Sequence, residues 1–193
     1  MVAVTMACCI FKPVQADTKN FAENFAARAV ASGDTHGQVF AVIDKSAATL
    51  SLYEPSGKLL ATSSVLVGQA IGDASVPGIG ERPMQQIAPH ERTTPAGRFA
   101  SEPGTNLSGE KIVWIDYDSA VSIHSLRLVN PRDKRAERLA TSTPLDNRIT
   151  YGCVNVPPAF YTQWILPTLG KKPGVVYVLP ETQSAKDRFA FLK

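Results

Sequence analysis

From Gln38 onward, apolar residues come in short runs broken by turn formers. Val39-Phe40-Ala41-Val42-Ile43-Asp44 and Thr49-Leu50-Ser51-Leu52-Tyr53 flank a turn at Lys45 to Ala48. Glu54-Pro55-Ser56-Gly57 is a second turn, before a third run from Lys58 to Val67. Runs of this length, rich in β-branched and aromatic residues and closely spaced, predict an antiparallel meander of strands. Further strands are expected at Gly97 to Ser101, Lys111 to Tyr117, Val121 to His124 and Val175 to Leu179. Helical spacing appears at 17–31, where Phe21, Phe25 and Ala29 are four apart. Pro157-Pro158 opens a second helix through Leu166, and Pro167 ends it. Gly68 to Arg92 carries no period, and a loop of that length is usually functional or disordered. The pattern as a whole predicts a mainly β domain with a few short helices.

Composition bounds the rest. The chain of 193 residues is 44% hydrophobic and 19% charged, which suits one globular domain. A net charge of +3 gives no basic footprint, so no nucleic-acid partner is expected. The apolar start, Met1 to Phe11, followed by Val14-Gln15-Ala16, reads as a secretory leader at 1–16 cleaved after Ala16. A lipoprotein with Cys8 acylated is the weaker alternative, because Thr5 stands where an aliphatic residue is wanted. The expected organisation is a leader at 1–16, a helix and linker at 17–36, and the main domain at 37–193. An exported protein, in the periplasm or cell envelope, follows.

The three cysteines are Cys8, Cys9 and Cys153. With the leader removed, Cys153 is the one thiol left, and such compartments favour disulfides. A disulfide to Cys8 or Cys9 would require the leader to be retained. A metal site is not expected, since no second Cys follows and His36, His90 and His124 are far apart in sequence. Two readings of Cys153 stay open: an inert buried thiol or an activated nucleophile.

A nucleophile needs a base. His36 lies in a linker and His90 in the long loop, where solvated side chains are the ordinary reading. His124 ends an apolar strand and could be a satisfied core residue or the base. Gly152, before Cys153, could let backbone amides converge on an oxyanion, or could be a bulge glycine.

At these residues a resemblance enters. Thr150-Tyr151-Gly152-Cys153-Val154-Asn155, downstream of Ile123-His124-Ser125, resembles the signature of the L,D-transpeptidases, the YkuD-type domain. Thr93-Thr94-Pro95-Ala96-Gly97-Arg98-Phe99 resembles that family's Thr-Pro-x-Gly-x-aromatic segment, and the first two strands resemble its opening hairpin. The resemblance covers about Gly37 to Leu179. It implies a β-sandwich-like fold with a helix after the Cys motif. It implies Cys153 as nucleophile, His124 as its base, and the Ser125 carbonyl as the group orienting the imidazole. The amides around Gly152 and Cys153 would stabilise the oxyanion, with Thr150 and Asn155 supporting the backbone.

The implied substrate is a peptidoglycan stem peptide, with no cofactor or metal, and carbapenem-type inhibitors are expected to acylate Cys153. Tyr151 stands where the family has a histidine beside the site, and the spacer from His124 to Cys153 is longer than usual. A cell-wall carboxypeptidase or cysteine hydrolase on the same fold, and a non-catalytic wall-binding domain, are the alternatives.

The long spacer has its own pattern. Asn130-Pro131-Arg132-Asp133 reads as a helix start with Asn as N-cap, continued by residues 134–139. Between Arg127 and Arg148 there are six basic and three acidic residues, an ordinary solvated face in the bland reading. Arg127 and Arg148, nearest the two motifs, are the expected carboxylate contacts, with Tyr151 lining the site. Arg135 is expected to matter little.

Overall fold

The computed structural model describes residues 14–128 and 130–193. The first helix, α1, spans Val14–Ala31. The meander follows as β1 (Phe40–Asp44), β2 (Thr49–Tyr53) and β3 (Leu59–Ser64), paired antiparallel in that order. β1 alternates between two cores. Ala41 and Ile43 face one, Phe40 and Val42 the other, which is the period of two that a doubly covered strand requires. β10 (Gly174–Val178) lies parallel to β1 and alternates in the same way, Val176 and Val178 against Val175 and Tyr177.

One strand turns the sheet. β5 runs from Gly97 to Thr105; Gly97 to Ser101 pair with β10, and Glu102 to Thr105 pair with β6 (Lys111–Asp116). β7 (Val121–Ser125) continues antiparallel to β6, and β9 (Val154–Val156) closes the order parallel to β7. The eight strands run β3-β2-β1-β10-β5-β6-β7-β9, and β4 (Val67–Gly68) pairs separately with β8 (Arg148–Thr150). A bridge between Leu66 and Asn155, with N–H···O distances of 2.9 and 3.0 Å each way, ties the end of the meander to β9. The result is a mainly β, nearly closed sandwich-like sheet with a few short helices.

Helical pieces seal both faces. Phe25, Ala26 and Ala29 of α1 pack with Phe189 and Leu192 of the C-terminal segment on one core. Phe160, Tyr161, Ile165 and Leu169 cover the other. That second cover starts as α3 (Pro158–Phe160) and continues in wider π-type turns over Tyr161–Ile165, not as one regular helix through Leu166.

Other expectations are corrected in detail. Phe21 is 45% exposed, so the buried stripe of α1 is Phe25, Ala26 and Ala29. The run from Lys58 to Val67 is two strands, because the chain leaves the meander after Ser64 to reach β8. The 68–92 loop holds three single turns of 3₁₀ helix, at Ile79–Glu81, Met84–Gln86 and Pro89–Glu91. The leader expected at 1–16 lies mostly outside the described residues. No described helix is long and apolar enough to cross a membrane.

Candidate active site

β7 and β9 bring the two motifs together. Their parallel register sets Ile123 opposite Val154, His124 opposite Asn155 and Ser125 opposite Val156. Ile123 and Val154 enter the core, so alternation puts Ser122, His124 and Asn155 on the other face. Cys153, just before β9, is half-buried on that face, with Sγ 3.7 Å from Ser122 Oγ and 3.6 Å from the Ala120 carbonyl.

His124 is anchored through one ring nitrogen. Its Nδ1 lies 2.8 Å from the Ser125 carbonyl, an acceptor only, so Nδ1 carries a proton and Nε2 is left for the thiol. Burial pushes the Cys153 thiol up. The hydrogen bond and charge of His124, with Ser122 beside them, outweigh that and hold it below its ordinary value. Burial pushes His124 down, and its hydrogen bond and charge interaction with Cys153, with the Ser125 carbonyl, raise it overall; Arg127 opposes the rise. Both shifts favour a thiolate–imidazolium pair.

The turn that presents Cys153 is built from its neighbours. Gly152 has φ 133°, a region that favours glycine, and a Cβ there would stand 2.9 Å from the Thr93 carbonyl. Thr150 Oγ1 donates to the Cys153 carbonyl at 2.7 Å and accepts the Gly152 N–H at 3.2 Å. The Gly152 amide is thus engaged, and the Cys153 N–H has no partner among the described residues. Thr94 Oγ1 donates to the Gly152 carbonyl at 2.7 Å.

Tyr151 carries a neighbour that sequence reasoning missed. The Arg92 guanidinium lies over its ring, 3.9 Å from the centroid. Arg92 donates to the Ile87 carbonyl and the Gln69 side chain but meets no carboxylate among the described residues. Its place just before Thr93-Thr94-Pro95 was the one available signal.

The two arginines expected to meet a carboxylate ligand are placed differently. Arg127 pairs with Glu110 at 3.3 Å, and both are exposed. Arg148 does not face the site. Its guanidinium is buried against Glu181 and the carbonyls of Lys45, Gly68 and Ala70. The cause is the β4–β8 pairing, which sets Arg148 opposite Val67 over a buried polar cluster. Lys45, 1% exposed, completes that cluster with Asp73 at 2.8 Å and Glu181 at 3.4 Å, and donates to the Thr94 carbonyl at 3.0 Å.

The spacer is ordered, in two pieces. Asn130 caps a 3₁₀ turn at Pro131–Asp133, its side chain accepting from the Arg132 N–H. Lys134 then turns left-handed at φ 49°, and α2 runs from Arg135 to Ala140. One continuous helix from Asn130 is therefore corrected to a turn and a short helix. This kink swings Arg135, 11% exposed, onto Asn155.

Among the described residues no three His, Cys, Asp or Glu side chains are grouped to hold a metal ion. His36 and His90 lie elsewhere, in the turn after α1 and the 3₁₀ turn at Pro89–Glu91.

No family model and no curated protein matches the chain. Solved structures do. The helical cell shape determining protein Pgp2 from Campylobacter jejuni is 15% identical over 83% of this chain and 56% of its own, with a TM-score of 0.51. An L,D-transpeptidase from Mycobacterium smegmatis is 20% identical over 73% of this chain and 58% of its own, at 0.42. The catalytic domain of the Enterococcus faecium L,D-transpeptidase is 18% identical over 74% of this chain and 98% of its own, at 0.44. The chain spans little more than half the length of the first two. At these identities the likeness is one of fold, and the fold this chain shares is that of the Campylobacter jejuni protein.

Proposed function

We propose that the chain is a cysteine enzyme of the L,D-transpeptidase type, exported to act on peptidoglycan stem peptides. The observation that carries the reading is the placing of Cys153 and His124 by the β7–β9 register, with the thiol held low and the imidazole high. A binding domain has no use for a thiol so poised.

In this reading the Cys153 thiolate attacks the carbonyl carbon of the third stem residue. The oxyanion forms against the free Cys153 N–H. The C–N bond to the terminal D-alanine breaks, the leaving amine takes the proton from His124 Nε2, and a thioester remains. An acceptor amine then attacks the thioester, gives its proton to His124, and the C–S bond breaks. Water in place of the amine gives hydrolysis with the same residues. Arg92 over Tyr151 is the guanidinium that supplies a carboxylate contact, in place of Arg148.

The test is the intact mass of the protein after incubation with a purified tetrapeptide stem, with and without a diamino-acid acceptor. The expected result is a thioester adduct that is absent from Cys153→Ser and is discharged faster by the amine. Absence of any adduct on the wild type, under conditions where a small reagent alkylates Cys153, overturns the reading.

A further inference from the structure

Behind His124 lies a chain of contacts that the nucleophile–base–carbonyl set does not use. Arg135 Nη1 is 3.3 Å from Asn155 Oδ1, and Asn155 Nδ2 is 3.4 Å from His124 Nε2. Arg135 is itself held by Asp133, Nε to Oδ2 at 3.1 Å. A guanidinium only donates, so the atom of Asn155 that faces it is the carbonyl oxygen. The NH2 group is then the end that faces His124.

The consequence falls on one nitrogen. Nε2 is the ring atom left over once Nδ1–H donates to the Ser125 carbonyl. An NH2 group pointed at Nε2 interacts favourably with its lone pair and unfavourably with an N–H there. The amide could equally offer oxygen to an imidazolium, were it free to turn. Arg135 on the oxygen, with the Cys153 carbonyl 3.5 Å from Nδ2 as the weaker second hold, takes that choice away.

We infer that Arg135, on the inserted segment, is a positioning residue that acts through the Asn155 amide to keep His124 Nε2 a proton acceptor. This rests on the reading of Cys153 and His124 as the reactive pair. In that pair, thiol and imidazole share one proton. Arg135 weights the sharing toward neutral thiol and neutral imidazole, which keeps the base ready to receive a proton.

The charged groups around His124 are few. Cys153 faces it from the start of β9, Arg127 follows it in sequence with Glu110 as partner, and Arg135, paired with Asp133, meets it only through Asn155. Arg127 acts on the imidazole through its charge alone. Arg135 instead fixes, from the oxygen side, the direction of a neighbouring dipole.

The experiment reads acid–base behaviour and needs no stem peptide. The rate of alkylation by a small neutral reagent is followed from pH 5 to 10 on the Cys153-bearing peptide by mass spectrometry, so that Cys8 and Cys9 do not enter. Arg135→Met keeps the length of the stem and removes every donor. Asn155 is then held by the long 3.5 Å contact to the Cys153 carbonyl alone, it turns its oxygen to Nε2–H, and the thiolate–imidazolium form gains. The expected result is a profile moved to lower pH, with the rate at pH 6 raised about threefold, half a pK unit.

In an Asn155→Ala background the same Arg135→Met change has no further effect. An equal shift in both backgrounds, an upward shift, or none where Asn155 is intact overturns the inference. Should loss of Arg135 unfold the chain, Asp133→Asn replaces it, with a smaller downward shift that again vanishes without Asn155. Failure to form a thioester with the stem peptide would sink the proposed function and leave this alkylation result standing.

Discussion

One hydroxyl joins the loop segment to the turn that presents Cys153. Thr94 Oγ1 donates to the Gly152 carbonyl at 2.7 Å and accepts the Gly68 N–H at 2.8 Å, so both of its hydrogen-bonding capacities are in use. Thr94 is 1% exposed, and a Cβ on Gly68 would stand 2.4 Å from the Arg92 carbonyl. The segments are in backbone contact. Thr94→Val keeps the shape and strands a buried carbonyl and a buried N–H. The expected cost is about 2–4 kcal/mol, with slower acylation of the folded fraction, while Thr94→Ser restores most of both. Urea unfolding and adduct formation on the same samples check this.

Arg148 and Arg92 separate stability from recognition. Arg148→Ala leaves Glu181, whose side chain is 5% exposed, with the Lys45 ammonium at 3.4 Å but without its guanidinium, and the expected loss is about 1–3 kcal/mol. Arg92→Ala removes a part-exposed side chain with neutral partners. It is expected to raise KM for the stem peptide several-fold and to move the melting temperature little. The reverse ranking, KM changed by Arg148 and not by Arg92, would return the carboxylate contact to β8.

The contrast shows what a sequence carries. The hairpin and the sheet strands were legible because they rest on local alternation; Cys153 and His124 were singled out by a resemblance, and the β7–β9 register sets their segments side by side. Arg148 was misplaced because nearness to Cys153 in sequence says nothing of which way β8 faces, and the β4 pairing that decides it comes from 80 residues upstream. The Lys45, Asp73 and Glu181 cluster was invisible for the same reason, as three ordinary charges from three separate segments. Arg135 looked like one more solvated base on a helix. The left-handed Lys134 that re-aims it has no signature in a Lys-Arg pair.

Acid should act through Asp73. Burial pushes its carboxyl up, but the Lys45 ammonium and bonds from Thr182 and Glu181 outweigh that and hold it well below the usual carboxylate range. A group lowered in the folded state adds stability that is full above its unfolded value, about 3.9, and fades as pH falls toward the folded one. Wild-type stability is therefore expected to drop between pH 5 and 2. Asp73→Asn should be destabilised at pH 7 and show a flatter acid limb. Equal acid slopes for the two proteins in urea titrations at pH 7, 5, 4 and 3 would place the acid sensitivity elsewhere.

The remaining prediction concerns the thiol. A free cysteine ionises near pH 8.5, so only a few per cent is thiolate at neutrality. Cys153 is held lower by the hydrogen bond and charge of His124 acting against burial, so its alkylation midpoint should fall below that value. In His124→Ala the largest lowering partner is gone, and burial remains with the smaller effect of Ser122 against it. The midpoint should then rise to or above the ordinary cysteine value, with the rate at pH 7 down by about tenfold or more. The wild type should keep reactivity to a lower pH and lose it as the pair takes up its proton, where the variant has already lost it at its own higher midpoint. His36→Ala and His90→Ala change residues placed elsewhere and should leave the profile unmoved. A wild-type midpoint at or above 8.5, or one unaltered by His124→Ala, would mean that the two side chains do not share a proton and that Cys153 is an inert thiol after all.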